Sequence, residues 1–378
     1  MRAGLDLRYV QDYFPGIGRY TYNLARALPR AHPDDLFLYV YDPGLPNSRY
    51  DLGALAARPN VRLIPTTIPT FSPAEQVRLP LLLGRLGLDL FHSPYYVKPY
   101  RLPCPSIVTA QDMIGFRFPQ HLPSRWARLA FRLLNRLAVR TAAIVITPSQ
   151  AAKDDLVRAL GTRASKIAVI RDAADEHFSP QPASSIATVR SKYALLDRYL
   201  LYFGINKPHK NLPHLVEAWA MARRRLSGAQ AIRLVLAGRE DPRYPETRRK
   251  VAELELATSV QFVGDVPDQD VPALMSGADV FVFPSLYEGF GLPPLEAMAC
   301  GCPVIASNAS SLPEVVGDAG LLVDPVDVAA LADAIVRLLA DPALRSDLRV
   351  RGQRRAALFS WDTCAEQTHA VYRQIVQA

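Results

Sequence analysis

Short apolar runs alternate with amphipathic segments along almost the whole chain. The runs lack the polar residue at every second position that marks a half-exposed strand, so they predict buried strands of parallel sheets covered on both faces. The predicted strands are Ala3–Leu7, Leu36–Tyr41, Val61–Pro65, Leu90–Ser93, Ile107–Ala110, Ile144–Thr147, Ile167–Ile170, Tyr199–Phe203, Leu234–Ala237, Val260–Val263, Val280–Pro284 and Val304–Ala306.

Amphipathic stretches of helical length lie between these runs. The predicted helices include Arg19–Leu28, Ser72–Leu86, Ser124–Arg140, Asn211–Arg225, Leu292–Cys300 and Val328–Leu339. A proline- and serine-rich stretch at Ser179–Ser185 interrupts the alternation and indicates a linker. We therefore predict an α/β protein with two Rossmann-like, doubly wound parallel-sheet domains facing a cleft, at 1–180 and 181–360, with a final segment at 361–378.

Composition narrows the class of protein. The 378 residues are 49% apolar and 21% charged, which is typical of globular domains. No apolar run has the roughly 20 residues that cross a bilayer, and Asp6 interrupts any signal peptide, so we expect a cytoplasmic protein. Cys300 and Cys302 lack a second ligand pair with zinc-like spacing, and we expect buried side chains there, without zinc. The net charge of +8 suggests an anionic partner.

The most informative segment is Pro284–Ile305, which reads PSLYEGFGLPPLEAMACGCPVI. It predicts a strand end, a glycine-flanked loop and a helix opened by a proline pair. Gly289 and Gly291 permit close backbone approach to a ligand, and amides at a helix N-terminus favour an anion. Glu288 and Glu296 are placed to accept hydrogen bonds from two hydroxyl-bearing parts of one ligand. The alternative is that Glu288 caps the helix and Glu296 faces water.

This segment resembles the Glu-x7-Glu signature of glycosyltransferase family 4. The family has the two-domain GT-B fold and retains the anomeric configuration of the transferred sugar. The resemblance covers nearly the entire chain, because further family motifs are matched by Gly16–Tyr20, Val108–Asp112, Thr147–Ser149, Pro208–Asn211 and Ser307–Gly320. It also implies that the last helix, from Trp361, crosses back onto the N-terminal, acceptor-side domain.

The resemblance implies a role for each matching residue. Glu288 would contact the donor sugar, Glu296 the ribose hydroxyls, and Lys210 would neutralise the diphosphate as a compact point charge. The alternative for Lys210 is an ordinary surface lysine. The alternative for Gly16 and Gly18 is a tight turn with no ligand. The implied catalytic set is Glu288, Lys210 and Asp112; the donor-binding set is Gly16, Gly18, His209, Gly289, Phe290, Gly291, Leu292 and Glu296; and Gln111 lies on the acceptor side.

Two positions depart from the commonest family pattern. Gln111 stands where many members carry histidine, and it can hydrogen-bond a sugar hydroxyl but cannot titrate. His209 stands where many carry arginine, which would make a phosphate contact pH-dependent. The neighbouring Asp112 either positions a sugar or caps the strand end.

Asp268–Asp270 resembles the Asp-x-Asp metal motif of the other large glycosyltransferase fold. It immediately precedes a predicted helix at Val271–Met275, where acidic side chains complement the helix dipole. We therefore expect these residues to cap the helix, and we expect no obligatory metal.

The segment 124–140 combines basic and apolar side chains at helical spacing. Its five arginines recur every three or four residues, at Arg125, Arg128, Arg132, Arg136 and Arg140. One interpretation of this pattern is peripheral contact with an anionic membrane carrying a lipid-linked acceptor. The alternative is an ordinary helix that packs on its sheet and turns its arginines to water. No nucleic-acid-binding module surrounds the stripe, so nucleic acid is not expected.

The resemblance implies transfer of a hexose from a nucleotide-diphosphate sugar to a glycan, lipid-linked or small-molecule hydroxyl. We expect a front-face, oxocarbenium-like displacement in which Lys210 and loop amides stabilise the leaving diphosphate. Glu288 as a covalent nucleophile is the alternative mechanism. The motif set is most similar to mannosyl-type members, which favours GDP-mannose over a UDP-sugar. Alternative functions are a GT-B-fold epimerase or phosphorylase, or a silent nucleotide-sugar-binding protein.

Overall fold

A computed structural model describes residues 1–122, 124–226 and 228–377. The chain divides into two compact units, the first comprising 1–172 and 360–378 and the second 173–359. The first boundary lies eight residues before the sequence-based position of 180. Within the second unit, the Gln181 amide donates to Ser276 Oγ at 3.1 Å, which ties the start of this unit to its own body.

The first unit is a seven-stranded parallel sheet in the order β3-β2-β1-β4-β5-β6-β7. Its strands are β1 (Arg2–Asp6), β2 (Leu36–Tyr41), β3 (Val61–Pro65), β4 (Leu90–Ser93), β5 (Ser106–Thr109), β6 (Ile144–Thr147) and β7 (Ile167–Val169). Its helices are α1 (Pro15–Ala31), α2 (Leu52–Ala56), α3 (Glu75–Gly84), α4 (Ile114–Arg117), α5 (Arg125–Thr141) and α6 (Gln150–Leu160). The central strands are buried along their whole length, which explains their unbroken apolar sequence.

The second unit is a six-stranded parallel sheet in the order β10-β9-β8-β11-β12-β13. Its helices are α7 (Ala183–Lys192), α8 (Leu212–Arg225), α9 (Glu246–Glu253), α10 (Val271–Ser276), α11 (Leu292–Ala299), α12 (Leu312–Val316), α13 (Val328–Ala340) and α14 (Pro342–Ala356). Its strands are β8 (Arg198–Phe203), β9 (Ile232–Ala237), β10 (Val260–Gly264), β11 (Val280–Phe283), β12 (Val304–Ser307) and β13 (Leu321–Val323).

The last helix, α15 (Trp361–Val376), belongs to the first unit and packs against α1. Ser360 caps it by accepting a hydrogen bond from the Thr363 amide at 3.1 Å. Near its C-terminal end, the Tyr372 hydroxyl lies 2.7 Å from His92 Nδ1 inside the sheet. The chain therefore returns to its first unit through a buried polar contact as well as an apolar face.

Three local predictions are corrected by the structure. The stretch read as a linker ends in a helix, because α7 begins at Ala183. Gly16 and Gly18 lie in the first turn of α1 rather than in a loop before it, since the helix already begins at Pro15. Asp270 does not cap α10 with its side chain; its carboxylate instead accepts hydrogen bonds from Lys192 and from the Tyr193 hydroxyl, each at 2.6 Å.

No helix among the described residues is long and apolar enough to span a membrane.

Candidate functional site

The strand order of the second unit identifies where a ligand would bind. Connections leave β8 and β11 in opposite directions along the sheet, so the crevice outside their carboxyl ends is a topological switch point. Open α/β sheets bind their ligands at such points. The segment after β8 contains His209 and Lys210, and the segment after β11 contains Glu288 through Gly291. The structure thus brings two separate sequence motifs to one sheet edge.

Lys210 and Glu288 form an ion pair at this edge. Lys210 Nζ lies 2.6 Å from Glu288 Oε1, and the two side chains are 16% and 11% exposed. The ammonium also lies over the Phe283 ring, 5.0 Å from its centroid. A pair withdrawn this far from water carries a desolvation cost that its attraction does not always repay. Lys210 is therefore not a freely solvated surface lysine, and the Glu288 carboxylate meets a cation rather than a helix end.

Asn211 fixes the backbone on which Lys210 stands. It adopts a left-handed conformation, with φ of 61°, a region that asparagine tolerates better than most residues. Its buried side-chain amide donates to the carbonyl oxygens of Pro284 at 3.2 Å and Pro325 at 2.6 Å. The His209 carbonyl accepts from the Leu286 amide at 2.8 Å. These bonds join the segments after β8 and β11, so Lys210 is held at a fixed place relative to the glycine loop.

Two serines hold the loop that carries Glu288. The Glu288 amide donates to Ser310 Oγ at 2.9 Å, and the Ser311 hydroxyl donates to the carbonyls of Glu288 at 3.1 Å and Phe290 at 2.6 Å. Ser310 itself has a positive φ of 52°. The sequence reasoning noted this stretch only as part of a family resemblance and assigned no role to either serine. Their function depends on a long-range contact that spacing does not reveal.

Gly291 is the N-cap residue of helix α11, and steric constraints favour glycine at this position. Its φ of 117° is unfavourable for any residue with a side chain, and an added Cβ would lie 2.6 Å from Leu312 Cδ2. Helix α11 then starts at Leu292 with proline in its first turn. The Phe290 ring is buried and packs on Phe359 at 5.8 Å, so its contribution at the site is its backbone.

Glu296 lies in α11 and has no exposed surface. The prediction that it might simply face water is therefore wrong. Burial raises the pKa of nearby Cys300 to about 12, and the charge of Glu296 adds to that shift. Cys300 and Cys302 are buried free thiols, as the sequence predicted. His209 is also buried, at 3% exposure.

A cavity of about 310 Å³ lies beside the switch point, at the carboxyl ends of β8 and β9. Gly204 and Gly238 form part of its wall, and Phe262 contributes an aromatic surface. Its polar groups include Glu240 and Arg248, whose side chains make two hydrogen bonds of 2.8 Å with each other. The sequence reasoning did not identify this cavity, because its residues come from three strand ends that become neighbours only in the sheet.

The remaining predicted residues lie in the first unit, also at carboxyl ends of strands. Gly18 allows close packing, since an added Cβ would lie 3.2 Å from the Tyr9 carbonyl, whereas Gly16 faces open space. Asp112 accepts a hydrogen bond from the Ile114 amide at 2.9 Å. Gln111 Nε2 is buried and makes no hydrogen bond to the described residues. Its amide group is thus placed to donate to a ligand.

Comparison with known proteins agrees with this architecture. Residues 15–178 match "Glycosyltransferase Family 4" and residues 190–355 match "Glycosyl transferases group 1". O-antigen chain mannosyltransferase B of Escherichia coli is 34% identical over 75% of this chain and 74% of its own length. Sucrose-phosphate synthase of Thermosynechococcus elongatus superposes with a TM-score of 0.77 at 26% identity, covering 99% of this chain and 98% of that one.

A second similar structure is HepE of Anabaena in complex with UDP and glucose, with a TM-score of 0.75 and 22% identity over 99% of this chain and all of that one. At that identity the likeness shows the fold. The chain belongs to glycosyltransferase family 4 and is a glycosyltransferase with two α/β domains of the GT-B type.

Proposed function

We propose that this glycosyltransferase moves a hexose, favouring mannose, from a nucleotide-diphosphate sugar to a sugar or lipid-linked hydroxyl with retention of configuration. The observation that carries the proposal is the Lys210–Glu288 pair at the switch point of the second unit. It supplies a cation for a diphosphate and a carboxylate for sugar hydroxyls side by side. The similarity to a mannosyltransferase supports mannose as the transferred sugar.

The same site has the groups that the chemistry needs. When the glycosidic bond to the diphosphate breaks, negative charge develops on the leaving oxygen, and Lys210 together with the amides at the start of α11 would stabilise it. The departing phosphate oxygen would take the proton of the attacking hydroxyl on the same face. Glu288 would orient the sugar, and buried Glu296 would accept from the ribose hydroxyls. We propose that these fixed charges make a metal ion unnecessary.

The cavity beside the site supports a guanine base. Guanine presents N1–H and an exocyclic amino group as adjacent donors, and the Glu240 carboxylate is an acceptor matched to them. The Arg248 guanidinium lies over the Phe262 ring, 4.0 Å from its centroid, and this planar group could stack on a base at the same place. Uracil lacks this pair of adjacent donors. We therefore propose GDP-mannose as the donor in preference to a UDP-sugar.

Thermal denaturation with GDP, UDP, ADP and their common sugar conjugates, in EDTA, tests the donor site. A ligand at a hundredfold excess over its dissociation constant adds about 2.7 kcal/mol to the unfolding free energy, which gives a clear rise in melting temperature. We expect a rise with GDP and GDP-mannose that disappears in Glu296→Gln. If no nucleotide raised the melting temperature, the donor site would be refuted. It would also be refuted if all nucleotides raised the melting temperature equally and the rise were unchanged in Glu296→Gln.

Helix α5 supports a second element of the proposal, contact with an anionic membrane. Trp126, Leu129 and Leu133 are 73%, 57% and 54% exposed, and their spacing places them on one side of the helix. The five arginines of the stripe are exposed as well. A helix that served only to cover its sheet would turn such large apolar groups inward. We propose that α5 holds this cytoplasmic enzyme at the inner membrane face, where lipid-linked acceptors reside.

A further inference from the structure

The first unit has its own topological switch point, between β1 and β4. Aromatic side chains converge there from three separate connections. Tyr9 and Phe14 follow β1, Tyr95 follows β4, and Phe71 lies between β3 and α3. Because ligands bind outside the carboxyl ends of strands at such a point, this aromatic cluster lies where the first unit should bind a ligand.

The rings form a layered platform. The centroid of the Phe71 ring lies 6.2 Å from that of Tyr9, 6.1 Å from that of Phe14 and 6.0 Å from that of Tyr95. Tyr13 packs edge-on against Phe14 at 4.9 Å. Tyr9 is fully buried at the base, whereas Phe71 is 48% and Tyr13 72% exposed. The platform therefore ends in two aromatic side chains that are open to solvent.

The backbone of Phe71 is strained, and its ring is half exposed to solvent. Its φ of 61° is an outlier for a bulky residue, and such conformations cost about 1–3 kcal/mol each. The strain is held by a hydrogen bond of 3.2 Å from the Phe71 amide to Glu75 Oε2. Local strain of this size around a half-exposed apolar ring has no evident benefit to folding, which points to a role in binding.

Glu75 is itself fixed by a buried charge network. Arg8 Nη2 donates to Glu75 Oε1 at 2.5 Å, and Arg8 Nε donates to Asp6 Oδ1 at 2.8 Å, with all three side chains inaccessible to solvent. A third bond runs from Arg8 Nη1 to the Ile68 carbonyl at 3.1 Å. Burial raises the pKa of Glu75 to about 7. The network thus anchors the segment before α3 from beneath and keeps Phe71 in its strained position.

Polar groups suited to sugar hydroxyls lie beside the aromatic rings. The Tyr95 and Tyr96 rings are 4.0 Å apart, and burial raises the pKa of both, with a further contribution from the charge of Asp112. Gln111 and Asp112 follow β5, which pairs in parallel with β4, so they lie at the same sheet edge as Tyr95 and Tyr96. The neighbouring Gln111 has its Nε2 buried with no hydrogen bond to the described residues. An alkyl chain bound here would leave these polar groups desolvated, whereas a pyranose could satisfy them.

We propose that Tyr13 and Phe71 stack on the apolar face of a pyranose ring of the acceptor, while Gln111 and Asp112 hydrogen-bond its hydroxyls. This inference rests on the proposed function, since it takes the acceptor to be a saccharide. Aromatic faces match the C–H groups on one side of a pyranose, and an amide with a carboxylate matches its hydroxyls. Phe71 is then an acceptor-specificity residue of the first unit.

The test is binding of α-linked mannobioses, measured by saturation-transfer NMR on the full chain without donor. We expect Phe71→Ala and Tyr13→Ala each to weaken binding about tenfold, because each removes one of the two exposed aromatic faces. Phe71→Tyr should bind within about twofold of wild type. The control Leu358→Ala removes an apolar side chain of the second unit that is about as exposed as Tyr13, and it should leave mannobiose binding unchanged.

Phe71→Gly separates a binding role from a structural one. Glycine relieves the positive φ, so we expect the melting temperature of Phe71→Gly to equal or exceed that of Phe71→Ala, while mannobiose binding is weakened about tenfold in both. Each variant must keep the GDP-induced thermal shift, which reports on the second unit alone. Mannobiose binding that is undetectable in wild type, or equal in wild type and all Phe71 variants, would overturn the platform while leaving the donor site intact. If GDP did not raise the melting temperature of the wild-type protein, the proposed function itself would be refuted.

Discussion

The ion pair between Lys210 and Glu288 has a second consequence at the residue scale. In the ligand-free protein, each charge partly satisfies the other, at 2.6 Å between Nζ and Oε1. A diphosphate must compete with Glu288 for the ammonium, and the sugar hydroxyls must then compensate the carboxylate. Binding of the intact nucleotide sugar thus replaces the ion pair by a contact of Lys210 with the diphosphate and a contact of Glu288 with the sugar. Free nucleotide lacks the sugar and makes only the first contact, so the site should favour the donor.

Substitution of Lys210 by methionine tests its contact with the diphosphate. We expect Lys210→Met to weaken GDP binding by roughly tenfold to a hundredfold, because a hydrogen bond to a charged group contributes about 1.5–3 kcal/mol. Binding of guanosine, which has no phosphate, should stay within about twofold of wild type. Isothermal titration calorimetry with both ligands measures the difference.

Lys192 supplies the control for this substitution. It is also a lysine of the second unit in an ion pair, with Asp270 at 2.6 Å, but it is half exposed and lies away from the switch point. Lys192→Met should leave GDP binding unchanged. Equal losses of guanosine and GDP in Lys210→Met would show that the variant damages the unit rather than the phosphate contact.

Gly291 offers a stability test of the loop geometry. We expect Gly291→Ala to lower the free energy of unfolding of the second unit by about 1–3 kcal/mol, because its φ is 117° and its Cβ would meet Leu312. Gly16→Ala is the matched control, since its Cβ would enter open space within a helix and should be neutral or stabilising. Urea unfolding measures both; an unchanged midpoint in Gly291→Ala would contradict the geometry.

Individual site residues could be predicted from the sequence where a motif carries chemistry. Lys210, Glu288 and Glu296 were predicted as site residues because residue type, spacing and family resemblance all pointed to them. The sequence assigns nothing to Ser310, whose hydroxyl accepts from the distant Glu288 amide, or to Phe71, for which we propose a binding role from its strained backbone. Neither property is encoded in local spacing, so only the folded chain reveals them.

Elements are the scale at which the sequence was most informative. The buried central strands were located within a residue or two, since continuous apolar runs have few alternative explanations. The edge strand β13 (Leu321–Val323) was missed, because three partly buried residues give too short a signal. The final helix α15 could be expected from the family resemblance, but its buried polar contact with β4 could not.

That contact predicts a measurable contribution of α15 to stability. Burial lowers the pKa of His92 to about 3, so the ring is neutral at pH 7, and its nitrogens lie 2.7 Å from the Tyr372 and Thr109 hydroxyls. Tyr372→Phe leaves a buried nitrogen unpaired and should reduce the free energy of unfolding by about 1–3 kcal/mol. Urea denaturation followed by circular dichroism measures the loss.

Tyr22→Phe is the control for a lost tyrosine hydroxyl. That hydroxyl donates to the exposed Asp51 carbonyl at 3.2 Å, where water can replace it, so the change should stay within about 0.5 kcal/mol. Equal effects of the two variants would contradict a special role for the buried contact.

For the whole molecule, charge distribution matters more than the net value of +8. The arginines of α5 are exposed next to outward-facing Trp126, Leu129 and Leu133. Adsorption to an anionic membrane would combine burial of these apolar groups with about 1 kcal/mol of attraction for each basic residue near the surface. The same surface would bring the enzyme to lipid-linked acceptors.

Vesicle sedimentation tests this surface. At low salt, wild type should sediment with phosphatidylglycerol vesicles and remain in solution with pure phosphatidylcholine. Leu129→Ala with Leu133→Ala should reduce the bound fraction severalfold, whereas Val326→Ala with Leu358→Ala, two exposed apolar positions of the second unit, should not. Equal sedimentation of both double variants, or none of wild type, would rule out α5 as the membrane contact.

Retaining transfer at the Lys210–Glu288 site determines the anomeric configuration of the product, and this configuration can be measured. The enzyme is incubated with an acceptor, either methyl α-mannoside or an α-linked mannobiose, and the reaction is followed by proton NMR. The donor is GDP-mannose or whichever α-linked nucleotide sugar raises the melting temperature. We expect a new α-anomeric signal that grows with nucleotide release and is absent in Lys210→Met. A β-linked product, release of free sugar without transfer, or transfer undiminished in Lys210→Met would contradict retaining transfer at this site.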